Sequence, residues 1–547
     1  MDTAAIGNSW IEQLDRRLSS DGVFSFSAAW FAMLAGSLLN MLNHNDYPIA
    51  VSENSIIAIC LAIATGILGL IHSRASFVRP LFDTLLVVLA VDFNVSGSLA
   101  AYAAIILTAG TLTFSTLRRR SVAPLVLVIF IVVITSQLLT SVLAGTTREP
   151  VRRDIAANGS PLPAIVHVVL DEHIGIEGLN MDDPALHDAR IRLQTSYLDK
   201  GFSVYGGAYS RHFRTINSMP EIFNFGLTQL GGEPRIWKDT QVVPNAYFDA
   251  LAAQGYQINV IQTDFVTYCD HDAVKSCWTY RRNDLHPLAG SPLNPLDRAR
   301  ILSAAFLSVS TLTARTIREY DKHVPQFRSS GLNLPFIRPD MLSLTSTLAA
   351  LDAADVMSES LRQAQPGQVY FAHLLAPHYP HVTRSDCSIR PLSEWTYRRF
   401  GSTFGERNRG YADQLICMSR KIENMLEALS HSAAADNAVV IVHGDHGSRI
   451  TEVDPNSRTI DNLSDSELIA GYATLFAVRL KIPQPHYVDT NIPLSALLKS
   501  LTDNVFFALP SMTAVTPDEA EIFIEDREWR PVKTHRMPHF RGGKSLP

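Results

Sequence analysis

Acidic and imidazole side chains directly follow three short apolar runs of the sequence. Asp171 and Glu172 follow the run AIVHVVL, His378 follows QVYFAHLL within the motif PHYP, and Asp445 and His446 follow AVVIV. Carboxylates and imidazoles suit zinc, with manganese or magnesium as harder alternatives. If the three runs are parallel strands, their carboxyl ends meet at one edge of a sheet and these side chains converge. The sequence therefore predicts one divalent metal site at that edge.

A threonine hydroxyl opens the motif TINSMP at residues 215–220. We expect a helix to begin at Thr215, which places the hydroxyl where backbone N–H groups and the helix dipole favour a phosphate group. Such a hydroxyl becomes a nucleophile once a bound metal or a base promotes loss of its proton. The competing interpretation is a plain N-cap threonine, because threonine is a common helix cap.

The runs that carry these residues alternate with helix-like stretches. Strands are predicted at 164–170, 368–375, 438–442 and 474–480, and amphipathic helices at 341–362 and 414–429. This alternation predicts an α/β domain with a mostly parallel sheet, which we place at residues 161–547. Each motif alone has a simpler explanation, since an aspartate at a strand end is commonly a turn residue. Their shared position at strand ends favours a functional site.

Charged residues are scarce, at 18% of the 547 residues, against about 25% in soluble proteins. The apolar excess lies before residue 148, in five stretches of roughly 17 to 27 residues that could each cross a bilayer as a helix. These stretches are 23–42, 54–71, 77–93, 95–117 and 121–147. Asp83 and Asp92 flank the apolar centre of the third, so we expect them near the two membrane surfaces. An α-helical membrane domain of five transmembrane helices is predicted for residues 1–147.

Basic residues occur in alternate loops between these stretches. Arg16 and Arg17 precede the first, Arg74 and Arg79 follow the second, and three arginines at 118–120 follow the fourth. By the positive-inside rule, five spans place the N-terminus in the cytoplasm and everything after a linker at 148–160 outside. A signal peptide is the alternative for the first span, but no cleavage pattern follows it and further spans do. The net charge of −6 argues against a basic nucleic-acid binder.

The order of these motifs resembles the alkaline phosphatase superfamily, specifically its membrane-anchored, sulfatase-like branch. Lipid A phosphoethanolamine transferases and lipoteichoic acid synthases belong to that branch, and they also carry five N-terminal spans and an outer catalytic domain. The phosphoethanolamine transferases have a nucleophile motif T-x-x-S-x-P, which the residues at 215–220 match. The resemblance implies a sulfatase-like α/β fold for residues 161–547.

The resemblance also implies roles for individual residues. Thr215 corresponds to the nucleophile, and Asp171, Asp445 and His446 correspond to metal ligands. Glu172 is a rival or additional ligand, because sulfatases use two adjacent acids at that position. The expected contacts with the substrate are His378, Asn217, Ser218, His373 and Arg449, and His381 and His443 are lesser candidates.

Two departures from the family pattern restrict the reaction and the number of metal ions that we expect. The C/S-x-P/A-S-R box from which sulfatases make formylglycine does not occur in the sequence, which counts against sulfate-ester hydrolysis. The phosphoethanolamine transferases have a further histidine soon after Asp-His-Gly, whereas here Arg449 follows and the next histidine is His486. We therefore expect one metal ion, and Arg449 either binds phosphate through its guanidinium or forms a surface ion pair.

The resemblance implies a reaction in which a phospho-head-group moves from a membrane phospholipid to a cell-envelope glycan or lipid. The head group would be of phosphoethanolamine or phosphoglycerol type, and a phosphothreonine would form on the way. The expected protein is a monomer of the bacterial inner membrane with a periplasmic catalytic domain and no nucleic-acid partner. Two other classes stay open: a membrane-tethered hydrolase of phosphodiesters or sulfate esters, and an inactive scaffold that need not bind metal.

Four of the five cysteines lie after residue 148, on the side predicted to be oxidising. Cys269 and Cys277 are close together in a polar stretch, and Cys387 and Cys417 are the remaining pair. Disulfides persist outside the cytoplasm, and neighbouring pairs close short loops, so we predict these two bonds. Cys60 lies within a predicted span and is expected to act as a small apolar side chain.

Overall fold

The chain divides into two compact units in a computed structural model. One unit contains residues 1–148 and 288–344, and the other contains residues 149–287 and 345–547. The structure describes residues 22–74, 79–95, 106–115, 121–143, 162–180, 182–226, 228, 230, 241–317, 319, 345–397, 402–451, 453–482, 485–504, 506 and 520–540.

The helices and strands alternate along most of the second unit. The helices are α1 (Gly22–His44), α2 (Ser52–Arg74), α3 (Arg79–Asn94), α4 (Ala123–Leu143), α5 (Pro184–Asp199), α6 (Thr215–Phe223), α7 (Ala246–Ala253), α8 (His286–Ala289), α9 (Pro295–Val309), α10 (Ser346–Leu361), α11 (Phe404–Ser430), α12 (Asp465–Tyr472) and α13 (Leu494–Asp503). The strands are β1 (Ala164–Leu170), β2 (Ser203–Tyr205), β3 (Ala208–Tyr209), β4 (Gln257–Thr263), β5 (Val274–Tyr280), β6 (Gln368–Leu374), β7 (Ala438–Gly444), β8 (Phe476–Arg479), β9 (Tyr487–Val488), β10 (Ile492–Pro493), β11 (Glu521–Glu525) and β12 (Pro531–Arg536).

Helices of the first unit present apolar side chains outward. Among the described residues, α1 and α2 are long and apolar enough to cross a membrane. On α2, Ile59, Ile63 and Ile67 recur every four residues and are 57% to 62% exposed. A stripe of exposed isoleucines is unfavourable in water and fits hydrocarbon, which suggests membrane anchoring. The full set of five spans stays a prediction: the fourth is described only at 106–115, and the linker at 148–160 lies outside the described residues.

Asp83 and Asp92, which flank the apolar centre of the third predicted span, both have polar partners within this unit. Asp83 accepts hydrogen bonds from Ser115 and Ser121 and lies 3.3 Å from His72 Nε2. Asp92 accepts from the backbone N–H of Leu312 at 2.9 Å and from the hydroxyl of Ser310. Two aspartates satisfied in this way have a structural role, because buried carboxylates need such partners.

The segment at 288–344 belongs to the first unit, although the sequence pattern assigned it to the outer domain. On α9, Arg298 makes a two-pronged ion pair with Glu53 of α2, with N–O distances of 3.0 and 3.1 Å. The Tyr47 hydroxyl donates to the same carboxylate at 2.5 Å. The assignment differs because this pairing joins residues 245 positions apart, and local patterns carry no signal for such a contact.

The second unit is built on an eight-stranded sheet with the order β5-β4-β6-β1-β7-β8-β2-β9. Strand β8 pairs antiparallel with β7 and β2, and the other strand pairs are parallel. This confirms the prediction of an α/β domain with a mostly parallel sheet. The four predicted strands appear as β1, β6, β7 and β8. The helix predicted at 341–362 appears as α10, with 341–344 outside the described residues, and the helix predicted at 414–429 lies within α11.

Both faces of the sheet are covered, so its central strands are apolar on both sides. Along β1, Val166, Val168 and Leu170 belong to one core cluster, whereas Ile165 and Val169 belong to the other. Because successive side chains of a strand point to opposite faces, a continuous apolar run is what a strand buried on both sides requires. The sheet is therefore a rigid support for the residues that follow its strands.

Both predicted disulfides are present in the second unit. Cys269 is bonded to Cys277, and Cys387 is bonded to Cys417. The first closes the turn between β4 and β5, and the second attaches the stretch after β6 to helix α11. Such bonds fit an extracytoplasmic location for this unit.

Candidate active site

The register of the central strands places the predicted strand-end residues side by side at one edge of the sheet. The last residue of β1 pairs with the last residues of both β6 and β7. Asp171 and Asp445 therefore follow adjacent parallel strands at the same edge of the sheet. The backbone N–H of Glu172 donates to Asp445 Oδ1 at 2.9 Å and joins the two strand ends. The convergence expected from the sequence is present.

His446 turns its Nε2 atom toward the two aspartates. Its Nδ1 lies 2.7 Å from the carbonyl oxygen of Gly447, which can only accept, so the ring proton is assigned to Nδ1 and Nε2 keeps a lone pair. That nitrogen lies 3.3 Å from Asp445 Oδ2 and 3.8 Å from Asp171 Oδ1. A backbone acceptor that fixes the tautomer in this way is typical of histidines that bind metals.

His373 joins the same cluster from the end of β6. One ligand atom from each of Asp171, His373 and Asp445 lies within 4.8 Å of the others, and all three residues are buried. In this part of the chain, Asp171 Oδ1, Asp445 Oδ2 and His373 Nε2 have no hydrogen-bond partner. Buried polar atoms without partners are costly, and a divalent cation would satisfy all three at once. The residues present therefore fit a divalent metal ion, and their oxygen and nitrogen donors suit zinc.

The electrostatics of the cluster agree with this fit. Burial, together with the neighbouring carboxylates, raises the pKa of Asp171 well above its ordinary value of 3.8. Burial raises the pKa of Asp445 to about 6, although hydrogen bonds to its carboxylate oppose the shift. Burial, assisted by the Arg449 guanidinium, lowers the pKa of His446 well below its ordinary value. The cluster thus resists carrying two bare negative charges, and a cation would relieve that resistance.

Thr215 places its hydroxyl at the cluster. It is the first residue of α6, with Arg214 at the N-cap, and its side chain is 2% exposed. Its Oγ1 lies 3.3 Å from His446 Nε2, and that nitrogen lies 3.3 Å from Asp445 Oδ2. The N-cap interpretation therefore does not apply, because the cap position belongs to the preceding residue. The hydroxyl combines a helix N-terminus with a set of metal-ligand atoms, as a nucleophile for phosphorus requires.

Glu172 is held beside the cluster in a strained conformation. Its φ of 63° is in the left-handed region, which is uncommon for a residue with a long side chain. The Tyr411 hydroxyl donates to the Glu172 carbonyl oxygen, and the carboxylate lies 2.9 Å from Arg449 Nη1 and 3.5 Å from His378 Nε2. Its partners are thus two cationic or protonatable groups, and its role as a metal ligand stays a prediction.

Arg449 brings a positive charge to the edge of the metal-ligand cluster. Its side chain is 12% exposed, and its Nη2 lies 3.1 Å from His446 Nε2. Of the two expectations from the sequence, an ion pair is present with Glu172, but it is buried rather than at the surface. Because a guanidinium can bind two phosphate oxygens, the phosphate-binding expectation stays a prediction for the substrate complex.

Asn217 and Ser218 have their polar atoms engaged within the protein. The Asn217 amide donates to Glu525 Oε1 at 2.7 Å and to the carbonyl oxygen of Trp529 at 2.9 Å. The Ser218 hydroxyl points back along α6, 3.4 Å from the carbonyl oxygen of Thr215. Their predicted contacts with the substrate would require these bonds to be exchanged.

The remaining candidate histidines, His381 and His443, are buried. His381 Nδ1 lies 3.0 Å from Thr396 Oγ1, and His443 packs against the rings of His167 and Phe476. Burial lowers the pKa of His381 to about 3 and that of His443 to about 4, so both are neutral at physiological pH. Both fit packing roles.

Sequence reasoning assigned no role to the C-terminal stretch that begins at Arg527. Its described residues, 527–540, include the turn and the second strand of the β11–β12 hairpin, and the last residue of β11 contacts the start of α6. A signal was present in the sequence EIFIEDREW, which begins the hairpin: its apolar core is followed by Glu525 and a turn-forming aspartate. A glutamate that is 3% exposed marks a place where a charge has a specific partner.

Comparisons with known proteins give similarity in structure only. No family model and no curated protein sequence matches the chain. Among solved structures, a protein in the alkaline phosphatase superfamily from Vibrio parahaemolyticus matches with 10% identity and a TM-score of 0.37, over 67% of this chain and 73% of that one. The superfamily that the motifs suggested is thus named among the structural matches.

Two further solved structures match at similar levels of identity. The C-terminal periplasmic domain of EcEptC from Escherichia coli shares 12% identity with a TM-score of 0.38, over 71% of this chain and 96% of that one. The phosphonate monoester hydrolase of Agrobacterium radiobacter shares 10% identity with a TM-score of 0.34, over 66% and 80%. At these identities the roles of individual residues rest on the geometry of this site.

Proposed function

We propose that this protein is a metal-dependent phosphotransferase that moves a phospho-head-group from a membrane phospholipid to a cell-envelope glycan or lipid acceptor. One observation carries the proposal: the Thr215 hydroxyl, at the N-terminus of α6, lies 3.3 Å from His446 Nε2, which itself lies 3.3 Å from Asp445 Oδ2. A hydroxyl buried beside metal-ligand atoms at a helix N-terminus is suited to attack phosphorus. The exposed apolar helices of the first unit keep such a site near its lipid donor.

The residues that hold the metal follow from the cluster. Asp171, Asp445 and His446 supply ligands, and His373 is placed to supply a fourth. When bound, a divalent ion lowers the pKa of a hydroxyl near it and offsets charge on phosphoryl oxygens. Zinc is the ion that we propose, and manganese and magnesium are the alternatives.

The reaction that we propose is a double displacement. Thr215 Oγ1 loses its proton to solvent and attacks the donor phosphorus, and the phosphorus–oxygen bond to diacylglycerol breaks. The leaving oxygen takes a proton from His378, whose Nε2 lies 3.5 Å from Glu172 Oε1. An acceptor hydroxyl then attacks the phosphothreonine and returns a proton to His378, and the released Thr215 oxygen takes a proton from solvent. The backbone N–H groups of α6 and the Arg449 guanidinium offset charge on the phosphoryl oxygens.

Hydrolysis is the second outcome of the same intermediate. If water replaces the acceptor, the protein is a membrane-tethered phosphodiesterase, and the residues used up to the phosphothreonine are identical. The two reactions differ only in what removes the phosphoryl group, so an experiment on the intermediate tests both.

The test is peptide mass analysis of the full-length, detergent-solubilised protein after incubation with zinc and phosphatidylethanolamine or phosphatidylglycerol. We expect the mass of one phospho-head-group on the peptide that contains Thr215, and the lipid that produces it identifies the donor. Thr215→Ala should give no adduct, whereas the matched variant Thr215→Ser keeps a hydroxyl and should be labelled at the same position.

Two results would contradict the proposal. Labelling of Thr215→Ala at the wild-type level would show that another residue is the nucleophile. A folded, zinc-loaded wild type that gains no adduct and releases no diacylglycerol from either lipid would refute the proposed donors. Release of diacylglycerol and free head-group phosphate without an acceptor product would establish the hydrolase instead.

A further inference from the structure

The C-terminal hairpin packs against the stretch of chain that leads into the nucleophile helix. The backbone N–H of Phe523, in β11, donates to the carbonyl oxygen of Arg211 at 2.7 Å. The Arg211 guanidinium lies 4.3 Å from the centre of the Phe523 ring, and the His212 ring stacks on the same ring at 4.9 Å. Main-chain and side-chain contacts thus join β11 to the residues just before Thr215.

Glu525, the last residue of β11, binds side chains on both sides of Thr215. Its Oε1 lies 3.1 Å from His212 Nδ1 and 2.7 Å from Asn217 Nδ2, and its Oε2 lies 3.3 Å from Arg214 Nε. A carboxylate that is 3% exposed is costly to bury unless charged or polar groups compensate it. Here the compensating side chains come from residues 212–217, the segment that contains the nucleophile.

The turn of the hairpin adds a second attachment to the same segment. Trp529 has a φ of 64°, a left-handed conformation that is strained for a bulky side chain. Asp526 maintains it, because Asp526 Oδ1 accepts from the backbone N–H groups of Glu528 and Arg530 at 2.8 and 3.0 Å. Strain of this kind persists where the surrounding structure enforces it, and it is concentrated at functional sites.

Trp529 contacts one residue on each side of Thr215 in the sequence. The carbonyl oxygen of Trp529 accepts from Asn217 Nδ2 at 2.9 Å, and the Arg214 guanidinium lies 5.1 Å from the centre of its ring. With Glu525, this uses both N–H donors of the Asn217 amide and fixes its rotamer. Arg214, at the N-cap of α6, is held between a carboxylate and an aromatic face.

We infer that Glu525 and Trp529 are positioning residues for the reaction of Thr215. They fix Arg214 and Asn217, and through them they set where the first turn of α6 directs the Thr215 hydroxyl. The inference rests on the proposed function, since it assigns a purpose to the orientation of that hydroxyl. A displacement of a reacting group by about 1 Å can lower a rate by about a hundredfold. Contacts that fix the Thr215 hydroxyl should therefore affect the rate of the chemical step.

The test compares Glu525→Gln with Glu528→Gln in the full-length, zinc-loaded protein in detergent. Glu528 lies in the same hairpin turn, but its side chain is 65% exposed and pairs only locally with Arg530. For Glu525→Gln we expect the rate of adduct formation at Thr215 to fall by about ten- to a hundredfold. The donor concentration for half-maximal rate, the zinc content and the melting temperature should stay close to wild type. Glu528→Gln should match the wild type in all four.

A double-mutant cycle separates positioning from general support of the fold. If Glu525 acts through Asn217, then adding Glu525→Gln to Asn217→Ala should cost much less rate than it does in the wild type, because coupled residues are not additive. A residue that only supports the fold would give additive losses that follow the melting temperature.

The outcomes distinguish this inference from the proposed function. Wild-type rates for Glu525→Gln, or additive losses in the cycle, would overturn the positioning role and leave the proposed function intact. A wild type that forms no adduct on Thr215 would overturn the proposed function and this inference with it.

Discussion

Removal of the metal should make the stability of the second unit depend on pH in a direction that the Asp445 carboxylate sets. Burial raises its pKa from 3.8 to about 6. A group whose pKa is raised on folding contributes stability that is present below the unfolded pKa and is lost as the pH rises through the folded pKa. At about 1.4 kcal/mol for each pH unit, the metal-free protein should lose about 3 kcal/mol between pH 4 and pH 7.

The assay is thermal unfolding of the full-length protein in detergent at pH 5 and pH 7.5, with zinc or after chelation. A unit of about 340 residues, at about 2 cal/mol/K each, has an unfolding entropy for which 3 kcal/mol corresponds to about 4 °C. Between pH 5 and pH 7.5 about half of this stability, roughly 1.4 kcal/mol, is lost, so we expect the chelated wild type to melt about 2 °C lower at pH 7.5. Zinc should reverse the sign, because metal binding requires deprotonated ligands.

The variant Asp445→Asn is the control that shows how much of the pH dependence of the melting temperature comes from the other titrating groups. Its carboxamide cannot ionise, so the chelated variant should lack the decrease of about 2 °C at pH 7.5, and zinc should barely stabilise it. The reasoning is refuted if the chelated wild type and the chelated variant change equally between the two pH values. It is also refuted if chelation leaves the melting temperature of the wild type unchanged at pH 7.5.

Three other predictions concern residues around the cluster. If His373 is a metal ligand, His373→Ala should weaken zinc affinity by at least about tenfold, as measured by metal competition, whereas the control His381→Ala should not. An unchanged zinc affinity with a raised KM would instead favour a contact between His373 and the substrate. Arg449→Ala should lower the free energy of unfolding by about 3 to 5 kcal/mol, because it removes the guanidinium that lies 2.9 Å from the buried Glu172 carboxylate, and retained stability in chemical denaturation would contradict this. Loss of the Cys387–Cys417 disulfide, which closes a loop with a sequence separation of 30, should cost about 3 to 4 kcal/mol by the loop-entropy estimate, and an unchanged melting temperature in Cys387→Ser would contradict it.

The positions of the residues that follow the central strands could be predicted from the sequence. The local apolar pattern and the topology of a parallel sheet both place them at the same sheet edge. The run at 164–170 is buried at every position and apolar except for His167, which is typical of a strand buried on both faces. Asp171 directly follows this strand and must therefore lie at the edge of the sheet where the strand ends. Once the strands are parallel, the position of Asp445 follows from the same rule. Thr215 was predictable in the same way, because a helix start is a local feature with a local signal.

His373, Glu525 and the segment at 288–344 owe their positions to contacts that local patterns do not report. His373 lies inside a strand, so whether its ring faces a core or a metal depends on the register with β1. Glu525 meets Asn217 across 308 positions of the chain, and Arg298 meets Glu53 across 245. In each case the signal was a polar side chain whose burial would be costly without a partner. Such a signal indicates that a partner exists but does not identify it.

The charges at the site offer a physical reason for one metal ion. Among the described residues, Asp171, Glu172 and Asp445 bring three carboxylates to the same buried edge, and Arg449 pairs with one of them, Glu172. The remaining two carboxylates, Asp171 and Asp445, are those with raised pKa values. A single divalent cation would balance their two charges, whereas a second would leave an excess of positive charge in a buried site, which is as costly as an excess of negative charge. The guanidinium of Arg449 thus stands where a second cation would otherwise be needed, and replacing it with a neutral side chain should create demand for one.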